Sequence, residues 1–219
     1  WQFDPETSHL RKLGRIIEPP DDFNSLTVTS DGTVWFSTYP GGVLQGYDPK
    51  TAKTVKSIDM KRQSEMLEVN GMTIYGGAQP GVLFEYNSRT DRLRTYSIGL
   101  DDYIDSLRFD RNGRLYIGTG QRSHLLIFDP DSKQLRDLGQ VFPGARRCAA
   151  IALGPGERIF AGAGTVRPQI VEYNPAADSF IYHGHLQTRT NRVHAMREGA
   201  NGRIYIGGYN PAVLFELKP

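Results

Sequence analysis

His194, in the stretch NRVHAM, is the side chain best suited to move a proton near neutral pH. Arg192 stands two residues before it, and Arg147 stands two residues before Ala149. Counting back from the tight turn after each of five similar strands gives equivalent positions at Asn24, Glu65, Asp105, Ala149 and His194. Placed at one radius around an axis, Asn24, Glu65 and Asp105 offer oxygen ligands to a divalent metal such as Ca or Mg, with His194 as imidazole ligand or general base. The plain alternative has no cofactor, with Asn and Asp capping loop amides at strand entries. Arginines crowd the same phase: Arg62, Arg122, Arg146, Arg147, Arg167, Arg189 and Arg192, together with Tyr39, Tyr103 and Tyr209. Guanidinium forks suit carboxylates, and tyrosine rings suit stacking on sugars. Arg122, His124, Arg146 and Tyr103 are the candidate substrate-binding side chains. A solvated rim, ion-paired to Asp21, Asp22, Asp101 and Asp102, is the competing reading. His9, His183 and His185 fall near outer strands, and Cys148 in CAAIAL reads as a small core residue.

A repeat must position these residues. Its phase is marked by Pro5, Pro49, Ser88, Pro130, Pro175 and Pro219, at spacings of 44, 39, 42, 45 and 44 residues. Periods in the forties belong to propeller blades. Each period runs from an Asp/Asn-Pro-type turn through four short strands. The connection into the second strand is long. SDG, NG, RNG, GPGE or ANG then makes a tight turn, expected to be a two-residue hairpin. Third strands such as TVWFS, RLYIGT and RIYIGG are aromatic and β-branched. Alternation of period two and turns every 8–12 residues exclude a helical bundle. The spacing therefore predicts an all-β chain, residues 1–219 forming one domain: a five-bladed β-propeller of four-stranded antiparallel blades. The third strands, among them Val34–Ser37 and Leu115–Gly118, are expected third in their sheets. The ring is expected to close by pairing Leu10–Ile17 with Val213–Leu217; the alternative is five repeats of a larger propeller. Alternation predicts burial of Leu26, Val28, Leu107, Phe109, Ile151 and Met196, with Trp35, Tyr116, Phe160 and Tyr205 or their alternates. The short turns are expected to leave one face without a pocket, so the site belongs on the long-loop face.

Composition narrows the partners. The 219 residues carry a net charge of only +2, which gives no footprint for nucleic acid or an anionic membrane. One cysteine excludes an internal disulfide and a Cys-based zinc cluster. No apolar run approaches a membrane span. The sequence shows no signal peptide and starts at Trp1 without an initiator Met, as expected of a processed chain or a piece cut from a longer one. Extracellular, periplasmic and cytoplasmic locations are all compatible, and a monomer is expected.

SDGTVWFSTYPGGVLQGYDPKT, from Ser30 to Thr51, resembles a blade of the propellers related to virginiamycin B lyase. NGRLYIGT and NGRIYIGG are similar to the same superfamily, which includes SMP-30-like gluconolactonases, sensor propellers and polysaccharide lyases. The resemblance covers all five periods as repeat grammar and implies a propeller; no catalytic motif is matched residue by residue. Two functions follow as expectations. The first is a lyase on a uronate-containing polysaccharide, with Arg147 and Arg192 or a metal neutralising the carboxylate, His194 as base and Tyr209 or Tyr39 as acid. The second is a non-catalytic module binding a carbohydrate or protein ligand, with the same Tyr and Arg side chains as anchors. A metal-dependent lactonase-like enzyme is the third.

Overall fold

The computed structural model describes residues 2–12, 22–60, 64–78, 81–164, 168–186 and 190–219. Apart from a 3-10 turn at Pro155–Glu157, their regular structure is all strand. A two-stranded hairpin comes first, β1 (Gln2–Asp4) and β2 (His9–Arg11). Then follow four four-stranded antiparallel sheets: β3 (Asp22–Val28) to β6 (Lys53–Asp59), β7 (Ser64–Asn70) to β10 (Arg92–Ser97), β11 (Ile104–Phe109) to β14 (Leu135–Gln140) and β15 (Cys148–Leu153) to β18 (Ser179–His185). A three-stranded sheet ends the chain: β19 (Arg192–Glu198), β20 (Ile204–Tyr209) and β21 (Val213–Leu217). Within the four complete sheets the middle strands are β4 (Val34–Tyr39) and β5 (Val43–Asp48), β8 (Thr73–Ala78) and β9 (Val82–Asn87), β12 (Leu115–Thr119) and β13 (His124–Phe128), β16 (Ile159–Ala163) and β17 (Gln169–Asn174). Each sheet is a meander in sequence order.

The strands Val34–Tyr39 and Leu115–Thr119 lie second in their sheets, not third. The reason is the Asx-Pro-type turn. It is itself a hairpin, so the strand after it pairs backward, as Leu93 does with Tyr86, and becomes the outer edge of the preceding sheet. The side chain at the turn's head fixes it. Asp48 Oδ1 accepts the Lys50 amide, and Asp129 Oδ1 accepts those of Asp131 and Ser132. Asn87 and Asn174 do the same for Arg89 and Thr90, and for Ala176 and Ala177. A short side chain with a carbonyl-type oxygen closes such a loop more firmly than a hydroxyl does. At one phase in every repeat the chain turns left-handed, at Ser8, Ala52, Asp91, Lys133 and Asp178, with φ from 48° to 60°. Ala has neither the freedom of Gly nor a polar side chain to help there. Ala52→Gly is therefore expected to raise stability by about 0.5–1 kcal/mol, read as a higher denaturation midpoint.

The turns at the inner strands differ from the two-residue expectation. Only Gly71 sits in a two-residue loop, between paired Asn70 and Thr73. Gly32, Gly113 and Gly202 close three-residue loops, with Thr29 bonded to Thr33, Asp110 to Arg114 and Gly199 to Arg203. In each, one tight turn is followed by a glycine at φ of 72–87°, so a single left-handed residue suffices and Asp31, Asn112 and Asn201 keep ordinary φ.

Inner strands β3, β7, β11, β15 and β19 pack side by side in that order. Apolar layers fill the spaces between successive sheets. Trp35 and Leu44 meet Leu67, Ile74, Phe84 and Tyr86; Tyr75 and Leu83 meet Leu107, Leu115 and Phe128. Tyr116 and Leu125 meet Ile151, Ile159 and Tyr173; Phe160 and Ile170 meet Met196, Ile204 and Ile206. Leu107, Ile151, Met196, Trp35, Tyr116 and Phe160 are buried as expected, and Phe109 and Tyr205 are half-buried. Leu26 and Val28 are exposed instead. Among the described residues the first sheet has no neighbouring sheet on that side: no contact comparable to the others joins β19 to β3. The expected closure is not made by its described part, because Leu10 pairs with Phe3 in the β1–β2 hairpin. Residues 13–17 of that segment lie outside the described residues.

Candidate functional site

Each inner strand slips by at least one residue near its entry. The register breaks between Phe23 and Ser25, Ser64 and Leu67, Ile104 and Ser106, Cys148 and Ala150, and Val193 and Ala195. The slipped residues are Asn24, Glu65 with Met66, Asp105, Ala149 and His194, so the ring positions read from the sequence are β-bulges. A bulge leaves one residue out of the ladder and re-aims its side chain, here at the long-loop end of the axis. Asn24, Met66, Asp105, Ala149 and His194, with Arg147 and Arg192, line one cavity of about 310 Å³. A second cavity of about 440 Å³ continues below it along the axis, sharing Met66, Ala149 and His194. In the second sheet the break spans Glu65 and Met66, which stand opposite Gly77, and Met66 lines the cavity. The Glu65 side chain lies outside the described residues.

Asp105 and Arg147 form the central ion pair. Arg147 Nε and one terminal nitrogen donate to the two carboxylate oxygens at 2.6 and 2.5 Å, and the carboxylate is almost wholly buried. Arg147 takes φ of 70° and its amide donates to the Gly120 carbonyl, so the backbone holds the guanidinium over the carboxylate. Its guanidinium carbon lies 6.0 Å from the centre of the Tyr103 ring. Burial pushes the Asp105 carboxyl above its ordinary range; the Arg147 bonds and the charges of Arg147 and Arg192 oppose this without cancelling it. A raised native pKa means the folded state binds the proton more tightly than the unfolded state. That contribution is present below the unfolded value and lost as pH rises through the folded one. Relative to Asp105→Asn, the wild-type chain is therefore expected to gain stability as pH falls from 7 toward about 4. Paired urea denaturations across that range check the sign.

The last sheet supplies the other cluster. The Arg192 guanidinium carbon lies 4.8 Å from the centre of the Tyr209 ring, and a terminal nitrogen donates to His194 Nδ1 at 3.1 Å. The His194 and Tyr209 rings are 5.8 Å apart. With Nδ1 accepting, the proton of the neutral imidazole sits on Nε2. Thr190 fixes the end of β20 by donating its hydroxyl to the Tyr209 carbonyl at 2.9 Å. Arg192 Nε is buried without a hydrogen-bond partner, and among the described residues no carboxylate pairs with Arg192.

Asn24, Asp105, Arg147, Arg192, His194, Tyr209 and Tyr103 are thus brought together. Tyr39 is half-exposed at the end of β4, outside the axial cavity. His124 bonds Asp137 on the neighbouring outer strand at 2.8 Å, away from the axis. Arg122 and Arg146 are exposed. Arg62, Arg167, Arg189 and Asp21 lie outside the described residues. Among the described residues no three His, Cys, Asp or Glu side chains converge as a metal group. A cation between Asn24 and Asp105 would share the Asp105 carboxylate with Arg147, which already donates to both of its oxygens. Burial pushes the Cys148 thiol up to about 12, consistent with packing and not nucleophilic chemistry.

Sequence reasoning missed Asp102 as an organiser. It is buried and accepts the amides of Tyr103, Gln121 and Arg122 at 2.7–2.8 Å, which ties two long loops together. The signal available was a repeated Asp before the strand entry. The short-turn end also departs from expectation. A cavity of about 210 Å³ opens there, lined by Phe109, Leu153 and Glu198 among others.

No protein-family model matches the chain. A curated relative is the meiotic recombination protein rec14 of Schizosaccharomyces pombe, 27 % identical over 133 residues, which are 59 % of this chain and 44 % of that protein. The chain thus spans less than half the length of that relative. Among solved structures, virginiamycin B lyase from Staphylococcus aureus superposes with a TM-score of 0.76 at 10 % identity, over 91 % of this chain and 70 % of that one. The extracellular domain of the B. thetaiotaomicron two-component system BT4673 superposes with a TM-score of 0.78 at 14 % identity, over 95 % of this chain and 28 % of that one. At such identities the likeness is one of fold, and the antiparallel meanders ranged about one axis agree with it: the chain is a β-propeller of the architecture seen in virginiamycin B lyase.

Proposed function

We propose that this chain is a binding propeller whose axial mouth takes the carboxylate of an acidic sugar. One observation carries the reading: two guanidinium groups face the same cavity, Arg147 is ion-paired to Asp105, and among the described residues Arg192 makes no ion pair within hydrogen-bonding reach. A fixed, uncompensated guanidinium beside aromatic rings suits a carboxylate on a ring-shaped, partly apolar ligand. Tyr209 already stacks with Arg192 and offers a platform for the sugar face. The fold itself does not choose between binding and catalysis, since its likenesses include an enzyme and the extracellular domain of a two-component system.

A second reading, β-elimination from a uronate polymer, is favoured by the contact between Arg192 and His194. A bound carboxylate draws Arg192 toward itself and leaves His194 Nδ1 able to accept the proton beside the carboxylate. The C–H electrons form the new C=C bond, the C–O bond to the leaving sugar breaks, and the Tyr209 hydroxyl protonates that oxygen. In this reading ligand binding itself frees the base.

Calorimetric titration with trigalacturonate and with its neutral amide tests the proposal. Trigalacturonate is expected to bind and the amide is not. Arg192→Met is expected to weaken binding by about 10- to 100-fold, the worth of one charge-assisted hydrogen-bond set. Equal binding of the acid and the amide would sink the carboxylate reading. Ultraviolet absorbance from an unsaturated product, abolished in His194→Ala while binding persists, selects the second reading.

A further inference from the structure

Three residues beyond the bulges, the inner strands bring a second set of side chains to the axis. Counting on from Asn24, Glu65, Asp105, Ala149 and His194 gives Thr27, Glu68, Arg108, Ala152 and Arg197. Thr27, Glu68, Arg108 and Arg197 line the cavity of about 440 Å³. That cavity shares Met66, Ala149 and His194 with the one at the mouth, so the two adjoin. Between the levels stand Ser25, Ser106, Ala150 and Ala195, whose small side chains leave room that larger ones would fill.

The lower level is positively charged. Arg108 donates one terminal nitrogen to Glu68 at 3.3 Å, a long bond for an ion pair, and its Nε is buried without a hydrogen-bond partner. Arg197 donates to the Met196 carbonyl at 3.1 Å and makes no ion pair among the described residues; the adjacent Glu198 is taken by Arg111 at 2.8 Å. Two guanidinium groups therefore stand here against the single carboxylate of Glu68. Burial pushes that carboxyl above its ordinary range, against the charge of Arg108, which weakens the one anion present.

We infer that the acidic ligand of the mouth is an oligosaccharide of at least two uronates that enters the axis end-on, with a second carboxylate held at the lower level by Arg197 and Arg108. The inference rests on the carboxylate reading of the mouth and adds the ligand's length and direction. Three residues of extended strand separate the levels, roughly 10 Å. A single uronate carries one carboxylate and satisfies one level, whereas a short chain carries another to the next. The second contact is then made within one complex, at high effective concentration. An acceptor entering beside Arg108 also lets its guanidinium turn and bond the Nε that the present arrangement leaves unmet.

Calorimetric titration of the 219-residue chain with galacturonate and with trigalacturonate tests the inference. Trigalacturonate is expected to bind about tenfold tighter or more, the worth of a second charge-assisted contact. Arg197→Met is expected to cut that preference to about threefold or less, which three carboxylates per molecule give by statistics alone. Arg197→Lys keeps the charge but loses the planar fork, and is expected to retain part of the preference. Ala195→Leu narrows the passage without altering any charge and is expected to remove the preference too, which covers the case that Arg197→Met does not fold. A preference of about threefold or less in the wild-type chain, with both acids bound, overturns the inference and leaves the mouth reading standing. A larger preference that survives both Arg197→Met and Ala195→Leu also overturns it, because the additional sugars then lie outside the axis. Binding of neither acid overturns the mouth reading and this inference with it.

Discussion

Trp35→Ala is expected to cost about 3–5 kcal/mol, the largest effect of any single truncation in the first sheet. Trp35 is buried in the layer shared by the first and second sheets, with its ring 5.2 Å from Tyr86 in an edge-on arrangement. Gly46 lies across the sheet from it, and a Cβ at Gly46 would stand 2.9 Å from the indole. Removing the indole therefore leaves a void bounded by backbone on one side and Tyr86 on the other, and neither closes it easily. Chemical denaturation gives the number. An unchanged midpoint would show that the two sheets do not pack through this layer.

Arg147→Met is the second large effect, at about 3 kcal/mol. Its guanidinium is about a third exposed, which puts the change at the low end for a buried pair, but the Asp105 carboxylate it leaves behind is almost wholly buried. Burial already drives that carboxyl toward its protonated form, and without Arg147 the drive is stronger. The loss should therefore shrink as pH falls, because a protonated Asp105 needs no counter-charge. Asp105→Asn added to Arg147→Met should recover much of the stability, since the uncompensated charge is then gone. A double-mutant cycle at pH 7 and pH 5 reads both effects. Losses that are additive and independent of pH would mean the pair is a rim contact.

The repeat was legible because its punctuation is chemical. Asp48, Asn87, Asp129 and Asn174 sit where an Asx turn needs their oxygen, and Gly71, Gly113 and Gly202 where the chain turns left-handed. The axial ring was legible for the same reason: counting back from those turns lands on Asn24, Asp105, Ala149 and His194. What the count could not show is that the positions are bulges. In the second sheet the break spans Glu65 and Met66 opposite Gly77, and Met66 lines the cavity. Tyr39 and His124 were misplaced by phase without direction. His124 shares a loop with the long-loop face, yet its ring pairs outward with Asp137. Leu26 and Val28 follow the alternation of a buried strand, but alternation says which face is apolar and not whether a neighbour covers it. The state of the ring was not legible, because a closed ring and an arc carry the same repeats.

The account turns on Arg192 moving from His194 to a ligand carboxylate. Nitrogen NMR of the histidine side chains during titration with trigalacturonate observes that contact directly. The predicted result is that the His194 Nδ1 resonance moves along the binding isotherm, as Arg192 leaves the imidazole for the carboxylate, and that His124 stays still. Saturable binding that leaves His194 unmoved would contradict the account and place the ligand elsewhere on the propeller.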